Sequence, residues 1–232
     1  MPKQKKCEGY FSKREIALWA SSVILILLSF LIYDRENYLT LTASLTGVTS
    51  LIFNAKGHPA GQFLMVMFSL MYGCISFNFA YYGEIITYLG MTMPMAILAL
   101  ISWLTHPYNG NKSEVSVNHV SNKEIWFMLI ASAVVTIIFY YILAYFNTAN
   151  ILPSTLSVTT SFIAVYLTFR RSQYFALAYA SNDVVLIVLW ILASVEDIRY
   201  ISVAVCFVTF LFNDIYGFIN WRSMAKRQGH AG

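Results

Sequence analysis

Residues 174–193 read YFALAYASNDVVLIVLWILA, twenty consecutive positions without a basic side chain. At 1.5 Å per residue, a helix of that length covers about 30 Å, the hydrocarbon thickness of a bilayer. In lipid such a stretch must be helical, because only a helix satisfies its own backbone groups within one segment. Near its middle stand Asn182 and Asp183, roughly 16 Å in from the basic end at that rise. An amide and a carboxyl at such depth are costly and mark a functional site by default.

Seven further stretches of this kind flank it. They run from Ile16 to Tyr33, Tyr38 to Asn54, Gln62 to Tyr81, Ile85 to Leu104, Ile125 to Phe146, Leu152 to Phe169 and Ile198 to Trp221. The break at Tyr82-Gly83-Glu84 is short and leaves room for a longer bent helix. The chain is 58% hydrophobic and 11% charged, against roughly 25% charged residues in a soluble domain. No soluble fold of this size hides so much apolar surface. The first span is followed by Asp34-Arg35-Glu36 rather than a small-residue cleavage site, so it is read as retained.

Charge sets the orientation. With eight spans, thirteen of the fifteen basic residues fall on the side of both termini, and only Arg35 and Arg199 fall opposite. That asymmetry places both termini in the cytoplasm and the chain in the plasma (inner) membrane. The net charge of +4 is thereby accounted for without a nucleic-acid partner. Cys7, Cys74 and Cys206 are odd in number and far apart, which suggests neither a disulfide framework nor a metal knuckle. His58, His106, His119 and His230 all fall in connections or the tail, so no metal or other cofactor is expected. There is no Ser/His/Asp set, H-E-x-x-H motif or glycine-rich phosphate loop, so an enzyme is not expected either.

The second to fourth spans and the sixth to eighth read as two copies of one unit. Each opens on a hydroxyl-rich helix, with Thr40, Thr42, Ser44, Thr46, Thr49 and Ser50 in one and Ser154, Thr155, Ser157, Thr159, Thr160 and Ser161 in the other. Each meets a basic turn, at Lys56 or at Arg170-Arg171, and each ends on a tryptophan, Trp103 or Trp221. A single helix between the triplets makes the copies parallel, a transporter arrangement with its site at the repeat interface. The expected parts are a basic N-terminus and peripheral first helix (1–36), a first triplet (37–105), a loop (106–121), a linker helix (122–148), a second triplet (149–222) and a tail (223–232).

The polar positions in the last two spans form the candidate substrate site. Asn213, Tyr216 and Asn220 follow i, i+3, i+7 and share a face; Phe175, Ala178 and Asn182 share one on the seventh span, with Trp190 two turns on. Asp183 and Asp214 are proton carriers, counter-ions or partners of hydroxyls, and Tyr88 of the fourth span completes the set. Amides, a phenol and aromatic rings suit a hydroxylated ligand with a flat ring. Trp19, Trp103, Trp126 and Trp221 lie near helix ends and are read as residues of the membrane-interface belt.

The run Arg170-Arg171…Tyr174-Phe175…Ser181-Asn182-Asp183…Leu189-Trp190, followed by Phe212-Asn213-Asp214-Ile215-Tyr216-Gly217-Phe218-Ile219-Asn220-Trp221, resembles the C-terminal half of the PnuC vitamin transporters. The resemblance extends from about the second span onward. It implies an all-α membrane fold of about eight helices, with a three-plus-one-plus-three arrangement like that of the SWEET sugar carriers and one N-terminal helix in addition. It also implies facilitated diffusion of nicotinamide riboside with alternating access, made one-way by a cytoplasmic kinase, and a homotrimer. Asn182 and Asn213 match the family's asparagines. The family's W-x-x-W pair reads Phe175 and Ala178 here, and relatives carry thiamine, riboflavin or deoxynucleosides, so these stand as alternative cargoes. A membrane receptor is the more distant alternative.

Overall fold

Eight helical crossings run where the eight apolar stretches lie. The structure is a computed structural model that describes residues 10–78 and 82–229. Lys3, Lys5, Lys6 and Cys7 of the basic N-terminus, the end of the third stretch at Tyr81, and His230 lie outside the described residues. The helices are α1 (Lys13–Tyr33), α2 (Tyr38–Ala55), α3 (Ala60–Asn78), α4 (Tyr82–Thr87), α5 (Met93–Thr105), α6 (Asn122–Tyr145), α7 (Ile151–Phe169), α8 (Phe175–Ala193) and α9 (Ile201–Arg227). Seven crossings are long and apolar enough to span a membrane. The remaining one, α2, is richer in hydroxyls, which return their protons to carbonyls one turn back: Thr42 to Tyr38, Thr46 to Thr42 and Thr49 to Leu45. That internal satisfaction lets a polar-looking helix live in a dry bundle.

Local signals explain the starts and stops. Ser12 and Glu15 form a reciprocal capping box at the head of α1, and Asn37 and Ser121 cap α2 and α6. Half-buried His58 accepts the Ala60 amide on Nδ1 at 3.1 Å and so caps α3; partial burial holds its imidazole below the ordinary histidine value. The fourth crossing is bent. Between α4 and α5 lies a π-helical turn, Tyr88–Thr92, just before Pro94, which has no N–H to continue the regular ladder.

The packing order is α2 on α3, α7 on α8, α3 on α5 and α8 on α9, with α2 against α9 and α5 against α7. Thus the first helix of each expected triplet packs on the last helix of the other. The linker α6 lies on α7, and α1 lies outside against α9 and α2. Gly47 lets α2 approach α9 closely: an added Cβ would stand 2.3 Å from the Phe210 ring.

The 106–121 loop has more structure than a polar connector. It folds into a hairpin, β1 (Pro107–Tyr108) with β2 (Asn111–Val115), turned by Asn109 and Gly110 at positive φ. Val115, Val117 and Val120 then plug the end of the bundle, packed with Trp103, Trp221 and Met224. Gln228 pins the plug by accepting from the Val117 amide at 2.7 Å.

Candidate functional site

The centre of α8 carries the polar core. Asn182 is buried, and its Oδ1 accepts from Thr160 at 2.7 Å and Ser161 at 3.0 Å, both on α7. The hydroxyl-rich helix thus orients the amide, leaving its Nδ2 donors for another partner. Asn182, Asp183, Tyr88, Ser161, Tyr179 and Phe207 are among the residues around a cavity of about 30 Å³. That is about the share of one water molecule in the liquid. Asp183 meets Asp214 of α9 side chain to side chain. Among the described residues, Asp183 Oδ2 is buried with no hydrogen-bond partner.

Aromatic clusters close the bundle on both sides of this cavity. On one side Tyr72 and Tyr88 have ring centroids 4.3 Å apart, and Trp190 stands 6.2 Å from Tyr72 and 5.4 Å from Tyr200. On the other, the Trp103 and Trp221 ring centroids lie 5.4 Å apart, and those of Phe175 and Trp221 lie 4.8 Å apart in a T-shaped contact.

The two tryptophans are tied reciprocally. Trp103 Nε1, from the end of α5, donates to Thr168 O at 3.0 Å, and Trp221 Nε1, from α9, donates to Asn54 O at 2.8 Å. Beside them Ser102 Oγ donates to Phe169 O at 3.0 Å, and Asn220 Nδ2 donates to Ala55 O at 2.6 Å. Donors 118 positions apart therefore address acceptors 114 positions apart, each in the opposite triplet. Trp103 and Trp221 are 1% and 0% exposed, which corrects their reading as interface-belt residues. A helix-end indole serves a belt or an inter-helix cap equally well, and here carbonyls of the last turns of α7 and α2 supply the partner as a second bond to each oxygen. Trp19 and Trp126 do remain exposed.

The expected site residues therefore separate. Asn182, Asp183 and Tyr88 line the cavity, and Asp214 backs it. Phe175 and Trp190 stand in the closing clusters. The face of Asn213, Tyr216 and Asn220 turns to α1 and α2 instead. Asn213 Nδ2 donates to Ser22 Oγ at 2.9 Å, and its Oδ1 is buried without a partner. Tyr216 donates to Glu15 at 2.9 Å, and Glu15 also pairs with Lys56 at 3.3 Å. A shared face says which residues align, not which neighbour they meet. Sequence reasoning missed Tyr179 and the role of Thr160 and Ser161 as the clamp on Asn182; the hydroxyl run was visible, its partner was not. Among the described residues no three of His, Cys, Asp and Glu converge as metal ligands.

Comparison with known proteins agrees with this architecture. Residues 37–223 match the sequence profile of the family described as "Nicotinamide mononucleotide transporter". The chain is 25% identical over 223 residues to a nicotinamide riboside transporter PnuC of Neisseria mucosa, covering 93% of this chain and 83% of that protein. It is 19% identical over 211 residues to a nicotinamide riboside transporter PnuC of Haemophilus influenzae, covering 90% of each. A crystal structure of the vitamin B3 transporter PnuC has the same fold, with a TM-score of 0.82 at 21% identity over 95% of both chains.

Proposed function

Because this chain belongs to the family of nicotinamide mononucleotide transporters, a multi-pass membrane carrier and not an enzyme, we propose that it carries nicotinamide riboside by facilitated diffusion. The observation that supports this most directly is the small cavity around Asn182, mostly apolar with a few polar groups converging on it, enclosed between two aromatic clusters. Sites for drug-sized ligands occupy ≈ 300 Å³ or more, about ten times the 30 Å³ present. Passage therefore requires the helices to part, first on one side and then on the other, which is alternating access by relative rocking of the two triplets. Asn182 would donate to the ligand's carboxamide or sugar oxygens, and Tyr88 and Asp183 would face its ring and hydroxyls. Phe175 and Trp190 would border it as their clusters open. Asn213 and Tyr216 would reach it only after α9 turns away from α1, with Asp214 following on the same helix. Phosphorylation by a cytoplasmic kinase would make uptake one-way, and both termini would lie in the cytoplasm of each protomer of a trimer.

One observation favours a second cargo. Phe175 is packed away beneath Trp221 and Ala178 is small, so a large stacking surface of the family pattern is missing. Thiamine, riboflavin or a deoxynucleoside is the alternative substrate. Counterflow of labelled nicotinamide riboside in proteoliposomes decides between them. Exchange that unlabelled nicotinamide riboside competes away supports the first reading. Competition by thiamine, riboflavin or a deoxynucleoside alone moves the substrate and leaves the carrier.

A further inference from the structure

A second cavity, of about 290 Å³, opens where α5 and α7 end side by side. Leu98, Ile101 and Phe169 form its apolar side; His106, Arg170 and Arg171 form its polar side, and no carboxylate lines it. Arg170 is offset by Glu124, to which its Nη2 donates at 3.0 Å. Arg171 has only neutral partners: Nη1 donates to Ser102 Oγ at 2.6 Å and Nε to Ser116 O at 3.1 Å. Among the described residues no acid pairs with it, and its Nη2 is uncommitted.

The backbone shows that this side chain is held against local preference. α7 ends in a Schellman turn: Ser172 N–H bonds Leu167 O at 2.9 Å and Arg171 N–H bonds Thr168 O at 3.0 Å, with Arg171 at φ 55°. α2 ends in the same turn: His58 N–H bonds Phe53 O at 3.0 Å and Gly57 N–H bonds Asn54 O at 2.9 Å, with Gly57 at φ 68°. The left-handed position is normally glycine's, because a Cβ there crowds the following carbonyl oxygen. One turn uses glycine; its counterpart holds an unpaired guanidinium at the mouth of a cavity.

We propose that this cavity binds an anionic phospholipid, its phosphate on Arg171 and Arg170 and an acyl chain along Leu98, Ile101 and Phe169. Charge complementarity selects an anion. The exposed Leu98, Ile101 and Leu104, on a helix that crosses the membrane, select an anion with an apolar tail. The assignment does not depend on which cargo the carrier moves.

The test is a thermal-shift titration of the full-length chain in detergent with phosphatidylglycerol, phosphatidylcholine and glycerol 3-phosphate. Phosphatidylglycerol should raise the melting temperature saturably, as any ligand of the folded state does, and the other two should not. Arg171→Asn tolerates the left-handed backbone and removes the charge. It should keep its helical circular dichroism while binding phosphatidylglycerol about five- to tenfold more weakly, and Arg171→Lys should retain part of the response. An undiminished phosphatidylglycerol response in Arg171→Asn would overturn the site. Equal shifts with glycerol 3-phosphate would make it a site for soluble phosphates, and equal shifts with phosphatidylcholine would remove the role of charge; either refutes the lipid.

Discussion

Among the described residues Asn182 has no acceptor for its amide protons: two hydroxyls on α7 hold its oxygen, and the proposed role of the protons is to bind the ligand. Replacing it with Ala should weaken binding by about 1–3 kcal/mol, the cost of leaving a buried ligand group unpaired. The check is the half-saturation concentration for counterflow, expected to rise about 5- to 150-fold at that energy. The tryptophans offer a matched pair of stability measurements. Trp103→Phe and Trp221→Phe keep a large ring but remove one of the two hydrogen bonds that Thr168 O and Asn54 O accept, so each should lose about 0.5–1.5 kcal/mol by thermal or denaturant unfolding. Similar losses are expected because the two environments are alike. At this scale the sequence makes chemistry legible but not partners. Asn182 and Asp183 stand out in an apolar run, whereas Asn213, equally conspicuous, faces Ser22 on α1. Only the packing of a distant helix separates the two cases.

Among the elements, the α2–α3 corner carries a pH-dependent joint. His58 can cap α3 only while Nδ1 keeps its lone pair, and burial lowers its pKa below the ordinary 6.5. As pH falls the unfolded chain takes up the proton first, so this contribution is complete above about pH 6.5. It is lost as pH drops through the lower, folded-state value. His58→Asn supplies a non-titrating cap, and its melting temperature should fall less than the wild type's between pH 7 and pH 5. Helix existence was legible because hydrophobic length is a one-dimensional signal, but helix ends were not. α1 and α6 start three residues earlier than the apolar stretches, and α9 runs on through Arg222 to Arg227, past the expected end at Trp221. The 106–121 plug was less legible still. Its valines at 115, 117 and 120 show neither a long apolar run nor a regular alternation, and their burial depends on the ends of α5 and α9.

For the whole molecule, Asp183 and Asp214 pose the question of energy coupling, since both acids are buried side by side within the bundle. Facilitated diffusion predicts that counterflow ignores an imposed pH gradient in the wild type. Asp214→Asn, which can still donate to Asp183, should behave likewise. Acceleration by the gradient in the wild type that disappears in Asp214→Asn would instead assign proton-driven uptake. The division into two triplets remains a proposal from hydroxyl runs and terminal tryptophans; under it, the ends of α5 and α9 each donate a Trp and a neighbouring polar side chain to the other proposed unit's helix end. Residue i of one copy meeting j of the other while j meets i is the grammar of an isologous dimer. Covalent continuity between the halves is then a convenience of synthesis rather than a condition of assembly. A protease site placed at the exposed Asn109-Gly110 turn should yield two fragments of four crossings each. They should co-purify in mild detergent and still catalyse counterflow.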